Sequence, residues 1–213
     1  MSDAAYTLVM GDKAWSSWSL RAWLVMRRSG IAFGEEMVRL RQPSSRSALD
    51  AASPSGKVPV LRHGPVTIWD SLAIAEYMAE QAPGAHLWPQ ASAIRAHARA
   101  ISAEMHSGFA ALRQTLPMDF LARGVAVTLT EDTARDIARI AEIWTTARAS
   151  AKGGGPYLFG GWSIADAMYA PVVSRFVTYS VALNGAARAY AETMMADADM
   201  QYWGAACRAD AGG

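Results

Sequence analysis

The 213-residue sequence has a single cysteine, Cys207, and four histidines. One thiol cannot form an internal disulfide, so the sequence is not a small disulfide-stabilised domain, and a reducing compartment fits it. The histidines show none of the spacings of metal ligands, and no His-Glu-x-x-His motif or carboxylate cluster accompanies them. We therefore expect no metal in this protein.

Long apolar runs and an excess of charge of one sign are also missing. No stretch approaches the roughly 18 uninterrupted apolar residues that a membrane-spanning helix needs. The start, with acidic Asp3 and a short apolar run, is unlike a secretory signal. Twenty Lys and Arg residues balance nineteen Asp and Glu residues, which argues against nucleic-acid binding by counterion release. We therefore expect a soluble cytoplasmic protein that binds neither nucleic acid nor a membrane.

The sequence does contain enough apolar residues, 52%, to bury a core in a chain of this length. Its first part alternates short β-favouring runs with helical patterns in the order β-α-β-α-β-β-α. Its second part has apolar residues at three- and four-residue steps, which is typical of helices. We therefore predict an α+β protein with an N-terminal domain over residues 1–84, a linker over 85–91 and an all-α domain over 92–213.

The second part carries signals for individual helices. The apolar periodicity of residues 94–116 predicts one long helix, which Pro117 ends. Thr130, followed by two acidic residues, predicts the start of a second helix. Ser163-Ile-Ala-Asp166 has the pattern of a capping box and predicts a third. The tail from Ala186 predicts further helix.

The mouth of the first predicted helix carries Ser16 and Ser17, where a dithiol redox domain would have Cys-x-x-Cys. Because no sulfur is present there, any reactive thiol must come from a ligand. The unpaired N–H groups and the dipole of a helix N-terminus favour an anion such as a thiolate. The simpler alternative is that one of these serines only caps the helix.

Val58-Pro59 stands at the start of a predicted strand. If its peptide bond is cis, the N–H and C=O of Val58 are free to pair with a peptide-like ligand. A trans proline at the end of a strand is the ordinary alternative. Lys57 precedes this pair, and it either binds a carboxylate or lies in solvent.

Asp70-Ser71 precedes another predicted helix. The Ser71 hydroxyl, together with the helix N–H groups, suits a carboxylate, and the Asp70 carboxylate suits an ammonium group. The two residues together fit the head of an α-amino acid. Taken singly, each also fits a plain N-cap.

Four blocks of the sequence resemble the signature blocks of cytosolic glutathione S-transferases. In chain order they are Ser16-Ser17-Trp18-Ser19-Leu20-Arg21, Ser53-Pro54-Ser55-Gly56-Lys57-Val58-Pro59-Val60-Leu61, Trp69-Asp70-Ser71-Leu72-Ala73-Ile74-Ala75-Glu76-Tyr77 and Gly160-Gly161-Trp162-Ser163-Ile164-Ala165-Asp166. The first block is similar to the Ser-Ser-Cys-x-Trp-Arg motif of the zeta class and to the serine motif of the tau class. This similarity places the catalytic hydroxyl at Ser16, with Ser17 in reserve.

The resemblance implies a thioredoxin-like N-terminal domain that binds glutathione, and a helical domain that covers a hydrophobic acceptor pocket. It implies five glutathione contacts: the thiolate with Ser16, the cysteinyl backbone with Val58 before cis-Pro59, the glycyl carboxylate with Lys57, the γ-glutamyl carboxylate with Ser71, and the γ-glutamyl amine with Asp70. The candidates for the acceptor pocket are Trp15, Met105, His106, Phe109 and Arg113. The resemblance also implies a homodimer.

The sequence thus predicts a glutathione transferase, in which Ser16 stabilises the glutathione thiolate for attack on a small hydrophobic electrophile, as in detoxification. One alternative is glutathione-dependent cis–trans isomerisation of a maleylacetoacetate-like diacid, which the zeta-like serines and Arg113 favour. Another is a non-catalytic protein that keeps the fold as a binding or interaction module.

Overall fold

The computed structural model describes residues 5–151 and 154–211. Its N-terminal part contains four strands and three helices in the predicted order: β1 (Tyr6–Gly11), α1 (Ser17–Ser29), β2 (Gly34–Val38), α2 (Ser45–Ala52), β3 (Val60–His63), β4 (Val66–Trp69) and α3 (Ser71–Gln81). The strands form one sheet in the order β2-β1-β3-β4, in which β1 and β2 are parallel and the other pairs antiparallel. This mixed sheet with its helices is the predicted thioredoxin-like arrangement.

The C-terminal part is helical, as predicted. A 3-10 turn (Pro83–Ala85) leads into α4 (Ser92–Ser107), α5 (Ala110–Thr115), α6 (Glu131–Ser150), α7 (Ile164–Thr178), α8 (Gly185–Ala196) and α9 (Ala198–Ala211). The predicted capping box opens α7, where the Asp166 carboxylate accepts hydrogen bonds from the N–H of Ser163 at 2.8 Å and of Leu158 at 3.0 Å. No helix in the described residues is both long and apolar enough to cross a membrane.

The prediction of one long helix over residues 94–116 is wrong. The chain leaves the helix at Gly108, and Phe109 has a φ of 59°. The Arg113 guanidinium donates to the carbonyl oxygens of Met105 and His106, which caps the end of α4. The periodicity runs through this break because Leu112, in α5, faces the same core as the apolar residues of α4. Apolar spacing therefore could not reveal the break.

Buried residues of both parts form one hydrophobic cluster. Helix α1 lies within it and packs against both α3 and α7. The Arg21 guanidinium of α1 donates to the carbonyl of Met168 in α7 at 3.1 Å. The Trp203 indole of α9 donates to the carbonyl of Lys13 at 3.0 Å, so the last helix reaches back to the loop before α1. The loop before α1 is therefore held by both parts of the chain.

Candidate functional site

Two cavities adjoin at the mouth of α1. The larger, of about 570 Å³, is bordered on one side by Ser55, Pro59, Trp69, Asp70, Ser71 and His106. The smaller, of about 270 Å³, is bordered by Trp15, Ser16, Ser17, Leu40, Leu49 and Gly56. Three residues line both: Trp18, Lys57 and Val58. We call these the large cavity and the small cavity, and together they form one groove.

The loop that joins the two cavities contains a cis peptide bond between Val58 and Pro59, as the resemblance implies. The ladder between β1 and β3 begins only at Val60, so the N–H and C=O of Val58 take no part in the pairing of the sheet. These backbone groups lie where the two cavities meet. They are available to an extended peptide-like ligand.

Ser16 and Ser17 both line the small cavity, but their hydroxyl groups differ. The Ser16 hydroxyl donates to the Ser19 hydroxyl at 2.7 Å and accepts the N–H of Ser19 at 3.4 Å, so Ser16 is the N-cap of α1. The Ser17 hydroxyl has no hydrogen-bond partner among the described residues, and Ser17 is the first residue of α1. Of the two hydroxyls, that of Ser17 is the one left for a ligand.

The sequence left open whether Asp70 and Ser71 cap α3 or bind a ligand, and in the structure the two residues differ. Asp70 caps α3, because its Oδ1 accepts the N–H of Leu72 at 2.8 Å and of Ala73 at 3.3 Å. The Ser71 hydroxyl is buried and has no partner among the described residues. An unpaired buried hydroxyl is costly unless a ligand or water satisfies it. Ser71 therefore has the properties of a ligand-binding residue.

His106 of α4 is the residue through which the helical part contributes to the lining of the large cavity. Its Nε2 lies 3.2 Å from Oδ2 of Asp70, and its ring meets the Trp18 ring edge-on, with 5.1 Å between the ring centroids. Burial lowers the pKa of His106, and the charges of Arg21 and Arg113 act in the same direction, while Asp70 opposes them. At neutral pH the imidazole is therefore mainly in its uncharged form.

Two arginines, Arg21 and Arg113, lie against the ring of Trp18, and a third, Arg175, lies near Arg113. They donate to backbone carbonyls, and none forms an ion pair with a carboxylate among the described residues. Burial, and then their mutual repulsion, lowers the pKa of Arg21 to about 9 and that of Arg175 to about 10. Positive charge therefore accumulates here, offset only in part by the charge of Asp70 acting on Arg21 and that of Asp136 acting on Arg113.

Most of the predicted site residues line the groove, but three do not: Met105, Phe109 and Arg113. Lys57, Val58, Pro59, Asp70 and Ser71 line the large cavity, as does His106, and Trp15 lines the small one.

Two of the residues predicted for the acceptor pocket, Met105 and Phe109, do not line the groove. Their side chains are 0% and 9% exposed and belong to the core, because the apolar side of α4 faces α7 rather than the groove. Arg113 instead lies against Trp18, with its guanidinium carbon 5.2 Å from the centre of the ring.

Sequence reasoning missed Trp18 and Trp69, which line the groove, and Arg21, which lies against Trp18. Trp18 and Arg21 stood in the first signature block, but nothing in the block shows that one lines the groove and the other lies behind it.

Comparison with known proteins decides the family. The model of the glutathione S-transferase N-terminal domain matches residues 15–81, which include the first three signature blocks. A glutathione transferase homolog from Burkholderia GL BGR1, crystallised with bound glutathione, is 25% identical, and the match covers 95% of this chain and 98% of that one with a TM-score of 0.72. Residues 15–81 belong to the family of glutathione S-transferase N-terminal domains, and the chain as a whole is similar to that homolog. The resemblance stated from the sequence is thereby confirmed.

Two further proteins that this chain resembles are named as isomerases. A probable maleylacetoacetate isomerase from Caenorhabditis elegans is 33% identical over 105 residues, which is 49% of this chain and 48% of that protein. The chain thus spans about half the length of this curated relative. The holo structure of a bacterial zeta-class maleyl pyruvate isomerase is 21% identical, with a TM-score of 0.72 over 92% of this chain and 95% of that one, and it shares the fold.

Proposed function

We propose that the protein is a glutathione transferase. The observation that carries this proposal is the groove itself, in which the residues that suit the γ-glutamyl head and those that suit the cysteinyl sulfur lie at opposite ends, with the residues assigned to the cysteinyl backbone and the glycyl carboxylate between them. Asp70 and Ser71 line the large cavity, Val58 and Lys57 line both, and the serines of α1 line the small one.

In the proposed complex, the γ-glutamyl carboxylate accepts a hydrogen bond from the Ser71 hydroxyl at the N-terminus of α3. The ammonium group of the γ-glutamyl residue lies near Asp70. The cysteinyl backbone pairs with Val58, and Lys57 binds the glycyl carboxylate. The buried Ser71 hydroxyl, which lacks a partner among the described residues, supports this placement.

The cysteinyl sulfur then points into the small cavity. We expected Ser16 to bind it, but the Ser16 proton is donated to Ser19. The hydroxyl of Ser17 supports the reserve assignment, in which Ser17 donates to the thiolate. The positive end of α1 and the unpaired arginine charge also favour the ionised sulfur.

The proposed reaction is attack of this thiolate on an electrophilic carbon. In a substitution, the new C–S bond forms while the leaving group departs with its electron pair. In an addition, the carbanion that forms takes a proton from water. The protein contributes by holding the sulfur ionised and in place. The groups that stabilise the thiolate must therefore already be in position before the reaction begins.

The test compares Ser17→Ala with Ser16→Ala. The thiolate absorbance of bound glutathione is titrated against pH, and turnover is measured with 1-chloro-2,4-dinitrobenzene. We expect Ser17→Ala to raise the pKa of the bound thiol by about one to two units, the size of one charged hydrogen bond, and to lower kcat. Ser16→Ala should leave that pKa unchanged. The opposite result would return the role to Ser16, and no thiolate signal in the wild type would favour a non-catalytic module.

The three arginines favour a second candidate, the isomerisation of a maleylacetoacetate-like diacid. A dianionic substrate would supply the negative charge that these arginines lack among the described residues. The glutathione thiolate would add to the double bond, the resulting single bond would rotate, and elimination would return the thiolate unchanged. Turnover of such a diacid without net consumption of glutathione, and its loss in Arg113→Gln, would support this candidate over conjugation.

The proposal also includes a homodimer and a small hydrophobic electrophile as the second substrate. Exposed Val66 on the edge strand β4 provides apolar surface for a partner subunit. Light scattering coupled to size-exclusion chromatography would measure the mass and decide between monomer and dimer.

A further inference from the structure

Trp18 lies where the two cavities of the groove meet. It lines both of them, and so does Val58, the residue that the proposed function pairs with the cysteinyl part of glutathione. A group attached to the sulfur that extends from the small cavity toward the large one therefore passes the indole of Trp18. The zeta-class motif has a cysteine at this position, so the large side chain is a property of this chain.

The indole of Trp18 is held in place by its neighbours. The guanidinium carbon of Arg21 lies 4.4 Å from the centre of the ring and that of Arg113 lies 5.2 Å from it, while the His106 ring meets the indole edge-on. Cations over an indole are attracted to its electron density. Arg21 is buried and bonded to Met168, so it cannot swing away into solvent. The indole is therefore a fixed wall rather than a mobile flap.

The space beside this wall is limited. The small cavity measures about 270 Å³. Sites for small molecules usually measure about 300 to 1,000 Å³, and part of this cavity is taken by the cysteinyl sulfur itself. The remaining room suits a short chain or a single ring.

We propose that Trp18 is the residue that determines the size of the acceptor, by restricting the site to electrophiles no wider than a single aromatic ring. This inference rests on the proposed function, since it assumes that glutathione occupies the groove. It concerns the group bonded to the sulfur, and it leaves the contacts of Lys57, Val58 and Ser71 with the tripeptide unchanged.

The experiment measures binding of S-methylglutathione and S-(1-naphthylmethyl)glutathione by isothermal titration calorimetry, with glutathione as the reference. The wild type should bind the S-methyl compound more tightly than the naphthylmethyl compound. In Trp18→Ala the ratio of the two affinities should shift toward the naphthylmethyl compound by about tenfold or more, the usual effect of pocket shape on an apolar group. Trp18→Phe should restore most of the wild-type ratio.

Trp69→Ala is the matched control, because Trp69 lines the large cavity but not the small one. It should leave the ratio of the two affinities unchanged. Circular dichroism establishes that each variant is folded, and Trp18→Leu replaces Trp18→Ala if the latter is not.

Two results would overturn the proposal: a wild type that binds both compounds equally, or a folded Trp18→Ala or Trp18→Leu variant that keeps the wild-type ratio. A wild type that binds neither glutathione nor S-methylglutathione would instead refute the proposed function, and the two failures are thereby distinguished.

Discussion

The hydroxyl groups of Ser16 and Ser17 belong to adjacent residues, yet they differ in their hydrogen bonds. The Ser16 hydroxyl is tied to Ser19, whose own hydroxyl accepts the N–H of Gly11 at 3.0 Å. This chain of hydrogen bonds joins the end of β1 to the first turn of α1. We therefore assign Ser16 to the structure of the helix mouth and keep Ser17 for the ligand.

We predict that Ser16→Ala lowers the free energy of unfolding by about 1 kcal/mol, the usual cost of losing a serine N-cap. Ser17→Ala, which removes a hydroxyl without a partner among the described residues, should cost less. Urea denaturation of the two variants and the wild type would measure both. Equal losses would contradict the assignment of the cap to Ser16.

We predict that His106 makes the stability of the protein depend on pH. Its pKa in the folded protein is lowered below 6.5, chiefly by burial. As the pH falls through 6.5, the unfolded chain binds the proton first, so the free energy of unfolding decreases until the folded form is also protonated. The contribution is fully present above pH 6.5 and is lost below it.

The measurement is the free energy of unfolding between pH 5 and pH 8 for the wild type and His106→Gln. The loss toward acid pH should be smaller in the variant. Parallel curves for the two proteins would show that His106 does not carry this dependence.

At the scale of secondary structure, α4 and α5 show how a local device overrides a periodic pattern. Gly108 ends α4, and Leu112 of α5 donates its N–H to Asp136 of α6 at 2.9 Å. Asp136 thus supplies a hydrogen-bond acceptor near the start of the short helix α5. These contacts are made by residues far apart in the sequence, so the spacing of apolar residues alone predicted a continuous helix.

We predict that Gly108→Ala destabilises the protein by about 1 to 3 kcal/mol. A Cβ at this position would lie 2.8 Å from the carbonyl oxygen of Glu104, which is backbone and cannot easily move. Gly84→Ala is the control, since a Cβ at Gly84 meets nothing within 4 Å. Thermal unfolding of the two variants would reveal the difference, and similar melting temperatures would contradict it.

At the scale of the whole molecule, the last helix connects the two parts of the chain. Trp203 of α9 is fully buried and packs against Trp23 of α1, with 5.1 Å between the ring centroids. Asp199, near the start of α9, forms an ion pair with Arg27 of α1 at 3.0 Å. The core is continuous through these contacts, so we expect both parts to unfold together.

We predict that Trp203→Ala lowers the free energy of unfolding by about 3 to 5 kcal/mol, because it leaves a cavity at this junction. Tyr202→Ala, at a neighbouring residue that is 56% exposed, should cost much less. Tryptophan fluorescence and far-UV circular dichroism in urea should give one coincident transition for each protein. Separate transitions for the two signals would show that the parts unfold independently.

The sequence by itself determined the order of strands and helices in the N-terminal part, the helical class of the rest, and the family. These features depend on local propensity, on capping residues and on short blocks such as Asp70-Ser71, all of which involve residues close together in the sequence. The boundaries predicted near residues 84 and 91 remain predictions.

The tertiary structure decided which of two adjacent serines has a free hydroxyl, where α4 ends, and that Met105 lies in the core while His106 faces the groove. It also brought Arg21 and Arg113 against the ring of Trp18, with Arg175 near Arg113. Each of these outcomes depends on a neighbour from a distant segment, such as Asp136 or Met168. Residues that meet only after the chain has folded leave no spacing in the sequence by which to predict them.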